Sequence, residues 1–219
     1  MSIKNTLATS VAAVAFAGMA SAATIDFTDN SVYTSKSNFS ATGTTAGVTW
    51  TVTSIPDGGL TYTDFDGSDA MSPLANDFDG IGVGDDEISN NTTQFVTVTF
   101  SQNVTFTGAQ FLDLFSDPAV GSEDQEMALV FFGAADGTAD AMFQGDQEFP
   151  GTGYFSGSFS WTGNVLTFGV ADNSNDGVGV GDYALAAISF ESAVIPLPAA
   201  GFLLLGGLGG LAAMKRRKK

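Results

Sequence analysis

Val48-Thr49-Trp50-Thr51-Val52 sets a large apolar side chain at every second position, with threonine between. Successive side chains of an extended strand point to opposite faces, so Val48, Trp50 and Val52 face a core while Thr49 and Thr51 face water. A helix would scatter the same residues around its circumference. Outward from this stretch the period recurs at Phe95–Phe100, where Val96, Val98 and Phe100 share a face. It recurs again at Phe155–Trp161, where Phe155, Phe159 and Trp161 do. Further strands are expected at Thr24–Thr28, Gly108–Phe115, Met127–Phe132, Val165–Val170 and Leu185–Phe190. Glycine, asparagine and aspartate separate them at the spacing of an antiparallel sandwich. No sustained helical period appears between residues 23 and 193. The expected fold is therefore all-β, an antiparallel β-sandwich of jelly-roll type, with most of its 19 phenylalanines in the core.

The expected boundaries are a signal segment at 1–22, the sandwich domain at 23–193 and a C-terminal segment at 194–219. All 24 acidic residues lie between Asp26 and Glu191, whereas Lys36 is the one cation there. The domain thus carries a net charge of about −23 (24 acids less Lys36). Such a charge repels phosphate backbones and anionic lipid, which excludes nucleic acid as a partner and favours high salt or bound divalent cations. The chain has no cysteine, so its core must hold without disulfides. It also has no histidine, which with the missing cysteine removes ordinary zinc sites and the serine–histidine and cysteine–histidine nucleophile systems.

Met1–Ala22 follows the plan of a secretion signal: a cation at Lys4, an apolar run from Leu7 to Ala20, and a small-residue cleavage site at Ala20-Ser21-Ala22. The run is short and rich in alanine, which favours a cleaved signal over a membrane-spanning helix. At the other end stand Ile195-Pro196-Leu197-Pro198-Ala199, an apolar stretch from Ala200 to Met214, and Lys215-Arg216-Arg217-Lys218-Lys219. This is an expected C-terminal apolar helix. Residues back to Val194 and snorkelling lysines bring it to spanning length, and the basic cluster keeps its end in the cytoplasm.

This order of motif, glycine–leucine helix and basic cluster resembles the bacterial PEP-CTERM class of sorting tails. The variant is the one whose signature is Val-Pro-Leu-Pro-Ala, with Ile195 here in place of the valine. The resemblance implies an exosortase-type membrane enzyme that recognises the motif, cuts near it, and releases or transfers the domain to the cell surface or its polysaccharide matrix. The alternative is a permanent anchor that dimerises through Gly206 and Gly210. Prolines and clustered glycines weaken a helix, which favours sorting. The stretch Asp79–Phe115 also resembles exosortase-dependent surface proteins, a likeness that bears on fold and location and transfers no catalytic residue.

One repeat stands out: Asp79-Gly80-Ile81-Gly82-Val83-Gly84-Asp85 and Asp176-Gly177-Val178-Gly179-Val180-Gly181-Asp182 differ at a single position. The copies are either equivalent turns or calcium loops, since calcium takes clustered carboxylates and exposed carbonyls. Expected ligands are Asp77, Asp79, Asp85, Asp86 and Glu87 around the first copy, with Asp172, Ser174, Asp176 and Asp182 around the second. Asp172–Gly177 opens like an EF-hand loop, but Tyr183 stands where the bidentate glutamate belongs.

The expected function is a non-enzymatic exported surface or extracellular-matrix protein, transiently anchored in the inner membrane and then sorted. Its partners are an exosortase-type processing enzyme and extracellular polysaccharide. A calcium-dependent carbohydrate-binding module is the alternative, with Trp50, Tyr62, Tyr154 and Trp161 as candidate sugar platforms. Alternation on the strands argues that both tryptophans are core instead. A carboxylate-pair glycosidase comes third, with Asp85, Asp86 and Glu87 the cluster to nominate.

Overall fold

The computed structural model describes residues 21–55, 59–62, 73–84, 87–89, 94–117, 126–148, 151–171 and 181–192. The expected signal segment up to Ala20, the sorting motif and the apolar stretch lie outside them. The described residues fall within one compact unit, Ser21–Ala193. Among them no helix is long and apolar enough to cross a membrane. The strands are β1 (Ser21–Asp26), β2 (Tyr33–Lys36), β3 (Ser40–Thr45), β4 (Val48–Ile55), β5 (Leu60–Thr61), β6 (Gly82–Val83) and β7 (Ile88–Ser89), followed by β8 (Phe95–Leu112), β9 (Phe115–Asp117), β10 (Met127–Phe132), β11 (Ala141–Gln144), β12 (Gln147–Glu148), β13 (Phe155–Val170) and β14 (Asp182–Ser192). A short 3₁₀ turn, Asn30–Val32, precedes β2. The fold is all-β and its main sheet is antiparallel. Among the described strands, the small β9–β12 pair runs parallel.

Alternation built the strands as expected where it was strongest. Val48, Trp50 and Val52 are all buried, as are Val96, Val98 and Phe100. The β3–β4 connection is a tight turn with both central residues at positive φ, Ala46 at 49° and Gly47 at 76°, matching the twist of a two-residue hairpin. The expected strand Met127–Phe132 coincides with β10. β1 starts at Ser21 rather than Thr24, and its ladder places Ser21 opposite Ser192 and Ala22 opposite Glu191.

Two expectations need correction. Phe95–Phe100 and Gly108–Phe115 are not separate strands, because Phe95–Leu112 is continuous. Likewise Phe155–Trp161 and Val165–Val170 are halves of β13. Ser101-Gln102-Asn103 and Gly163-Asn164 look like turns in the sequence; in the structure they form a bend in two paired strands. Gly163 lies opposite Val104 and Val165 opposite Thr99, so Asn164 alone faces Phe100–Asn103. Irregularities of this kind bend a strand and increase its twist.

The bend gives β8 two sets of neighbours. Before it, Phe95–Phe100 pairs with β4, and after it Val104–Leu112 pairs with β14, which in turn pairs with β1. β13 follows β8 on its other side through both halves. Residues of both halves share one core, and rings tie them together. Phe100 meets Phe106 edge-on at 4.9 Å and Phe190 at 5.2 Å, while Phe27, just beyond β1, meets Trp50 at 5.5 Å. The Trp50 indole N–H donates to Thr45 Oγ1 at 3.2 Å, so its burial leaves no orphaned donor.

Aromatic rings also lie against bare glycine backbone. A Cβ at Gly43 would come within 2.2 Å of the Trp50 ring, one at Gly157 within 2.6 Å of Phe143, and one at Gly163 within 2.0 Å of Trp161. Trp161 in turn stacks nearly parallel to Phe106 and Phe132. Gly163→Ala should therefore push Trp161 from its stack and cost about 1–3 kcal/mol. In a Trp161→Leu background the same substitution should cost much less, because the atoms it meets are gone. Urea unfolding of the double-mutant cycle measures this coupling, and equal costs in both backgrounds would refute the ring-on-glycine account.

Candidate functional site

The start of β14 gathers the acidic features. Ile81 of the first repeat exchanges both backbone hydrogen bonds with Leu185, each at 3.0 Å. Gly80 has φ 125° and no room for a side chain, since a Cβ would lie 2.6 Å from the Leu185 carbonyl. β7, which follows the first repeat, pairs with β14 by Ser89 opposite Asp182 and Ile88 opposite Tyr183. The first repeat is thus laid along the strand into which the second one leads. Tyr183, the position where an EF-hand needs glutamate, is a core residue whose hydroxyl donates to the Gly169 carbonyl at 2.9 Å.

The expected calcium ligands divide unevenly. Asp85, Asp86, Asp172, Ser174 and Asp176 lie outside the described residues. Asp77 is exposed and accepts from the Asn30 N–H at 3.1 Å. Asp79 is buried, Glu87 and Asp182 are half-buried, and the Glu87 carbonyl closes a turn by accepting from the Val83 N–H at 2.9 Å. Among the described residues no three acidic side chains converge on one point as metal ligands. Asn76, at φ 59° beside Asp77, has its side-chain oxygen buried without a hydrogen-bond partner. The segment is tied down through Asp26, which accepts from the Thr28 N–H and hydroxyl and from the Ala75 N–H at 3.0, 2.6 and 2.9 Å.

A carboxyl pair that the local sequence does not announce sits at the same end. Glu126, just before β10, is 2% exposed, and its Oε2 accepts from the Phe115 N–H at 2.6 Å. Burial pushes its carboxyl up to about 9; the Phe115 N–H opposes this, while the hydrogen bond to Asp182 and the charges of Asp182 and Asp113 add to it. At neutral pH Glu126 and Asp182 therefore hold a proton between them. Glu126 looks in the sequence like a solvated residue ahead of an apolar run, and its partner comes from a strand far along the chain. Carboxyls in direct hydrogen bond leave no space for a sugar, whereas glycosidase pairs stand about 5 Å or more apart. What this pair can do is hold a proton.

The candidate sugar platforms separate clearly. Trp50 is sealed at 0% exposure, which removes it as a platform, and half-buried Trp161 is covered by Phe106 and Phe132. Tyr154 is half-buried; its hydroxyl donates to Gln110 Oε1 at 3.1 Å and its ring packs by Leu112, Ala184 and Ala186. Tyr62 joins Tyr33 and Phe78 around Lys36, whose Nζ lies 4.8, 5.2 and 3.8 Å from the three ring centres. Nζ also donates to Asn30 Oδ1 at 3.0 Å, and partial burial lowers the lysine below its usual value. Comparison with family models, curated proteins and solved structures finds no match.

The folded state binds the Glu126 proton more tightly than the unfolded chain, where the group titrates near 4.5. Its contribution to stability is therefore full below that pH and is lost as pH rises towards about 9. Glu126→Gln keeps the shape, the acceptor for Phe115 and a donor for Asp182, yet cannot ionise. Melting curves at constant ionic strength should show the native protein losing more stability between pH 5 and pH 9 than Glu126→Gln. Parallel profiles would overturn the proton-sharing assignment.

Proposed function

We propose that this chain is an exported, non-enzymatic protein of the bacterial cell surface or its polysaccharide matrix, delivered by a C-terminal sorting signal. The observation that carries this reading is the order Ile195–Ala199, apolar stretch and terminal basic cluster, opposite a first segment, Met1–Ala22, with the plan of a secretion signal. An exosortase-type enzyme is the processing partner it calls for. The domain suits such a place, since its strong negative charge favours solubility. Its architecture we take to be a β-sandwich of jelly-roll type. Two halves of the sheet share one core, and the first strand pairs with the last, which supports that reading.

Calcium is the cation proposed for the glycine–aspartate loops. The buried, partnerless Asn76 oxygen beside Asp77 supports it, because an oxygen acceptor of this kind suits a hard cation. A carbohydrate-binding module is the second reading, favoured by a hydroxyl-lined groove on the face of β8, β13 and β14.

Two experiments test these statements. A chain ending at Ala193 should disappear from the surface fraction of the producing cells, and intact-mass measurement of the full-length product recovered there should show cleavage at both ends. Undiminished surface delivery of the shortened chain would end the sorting reading. Melting should be higher in calcium than in chelator at matched ionic strength, by about 2.7 kcal/mol at a hundredfold excess over Kd. Magnesium should do less, given its stricter octahedral demand. Identical melting in calcium and chelator would remove calcium from the account.

A further inference from the structure

The solvent face of the second half of the sheet carries an unusual row. Ser158 of β13 lies opposite Gly108 of β8, and Gly108 lies opposite Ser189 of β14. Ser189 in turn shares a hydroxyl hydrogen bond with Thr24 of β1 at 3.1 Å. In the next row Gln110 stands between Ser156 and Ala187. Because Gly108 has no side chain, a trough of about 320 Å³ opens between the flanking serines, with Thr107 and Gln110 also on its walls. Position 108 cannot be filled without distortion, since a Cβ there would lie 2.4 Å from the Gly157 carbonyl.

The trough's chemistry is neutral and hydrogen-bonding. Each serine and threonine hydroxyl is both donor and acceptor, and Gln110, whose Oε1 is held by Tyr154, keeps its amide N–H groups for a ligand. Among the described residues no acidic or basic side chain lines it. The nearest carboxylates in register, exposed Glu191 two residues beyond Ser189 on the same face of β14 and Asp26 opposite Ala187, stand outside its walls, and Asp26 is already engaged by Thr28 and Ala75. Anionic ligands are repelled by the domain as a whole, and lipid would find little apolar surface. A peptide strand would need an open sheet edge for its backbone, whereas the trough lies on a face whose backbone groups are used in the ladder. Polyhydroxylated chains match such a surface, and the volume lies near the low end of the roughly 300–1,000 Å³ of small-molecule sites, enough for a short segment.

We propose that this trough binds a short segment of a neutral polysaccharide, a site that rests on the reading of the protein as a matrix component and gives that matrix its chemical class. The full chain, in a detergent without a sugar headgroup, is run through native gels containing dextran, laminarin or galactomannan, and through gels containing the anionic polymer alginate. At least one neutral polymer should retard it and alginate should not. Ser158→Leu, which fills the trough from an exposed strand position, should weaken retardation about tenfold. Tyr154→Phe, which releases Gln110 without filling anything, should weaken it too, and covers the case in which Ser158→Leu fails to fold. Thr44→Leu, exposed on β3, should change nothing. The proposal falls if no neutral polymer retards the native chain, if alginate retards it equally, or if folded Ser158→Leu and Tyr154→Phe both bind as the native chain does. Loss of retardation with tail-dependent surface delivery intact would remove the trough and leave the sorting reading standing.

Discussion

Phe100 occupies the last position at which β8 pairs with β4, and its ring meets Phe106 from beyond the bend and Phe190 from the final strand. One side chain thereby ties the two halves of the sheet and the final strand together. Edge-on ring pairs of this kind contribute about 0.5–1.5 kcal/mol beyond their burial. That contribution matters in a chain with no disulfide and a domain charge of about −23, where most long-range electrostatic terms oppose compaction. Apolar burial has to outweigh self-repulsion, and the fold answers by closing aromatic rings onto glycines, so that ring and backbone meet without a methyl group between them.

How far this was legible depends on whether the signal was local. Val48, Trp50, Val52, Val96, Val98 and Phe100 announce their inward face by simple alternation, and the structure buries all of them. The continuity of β8 and β13 was hidden because Ser101–Asn103 and Gly163-Asn164 have turn-forming composition, and only a partner strand bending in step makes them extended. The Glu126–Asp182 pair had no local signal, since topology brings the two groups together. Gly108 and Ser158 each fall within an expected strand, but nothing local marks them as neighbours; their meaning comes from register, which sets them side by side across a pair of strands.

The domain separates its chemistry by place. Carboxyl groups collect where the first repeat runs beside the start of β14, and there a proton already compensates one of them. The face of β8, β13 and β14 around Gly108 carries hydroxyls, with Thr105 and Thr162 hydrogen-bonded to each other across the strands at 3.1 Å. With no ionised group in its described lining, the trough would spare the neutral chain proposed for it the cost of desolvating one. The bend of β8 supports this separation, because the same strand supplies Phe106 and Phe111 to the core and Gln110 and Gly108 to the outer face.

Lys36, held over Tyr33, Tyr62 and Phe78, has a consequence for resistance to proteolysis. Endopeptidases of the trypsin type seat a lysine or arginine side chain in an acidic pocket before they cut. Between Asp26 and Glu191 the chain offers them Lys36 alone. Its side chain is exposed, but its ammonium group lies over three rings and its backbone closes a strand, so a protease must draw it off those rings and out of the ladder. The same scarcity makes the domain a single-handle object for amine chemistry: a reagent that modifies lysine side chains there marks one position.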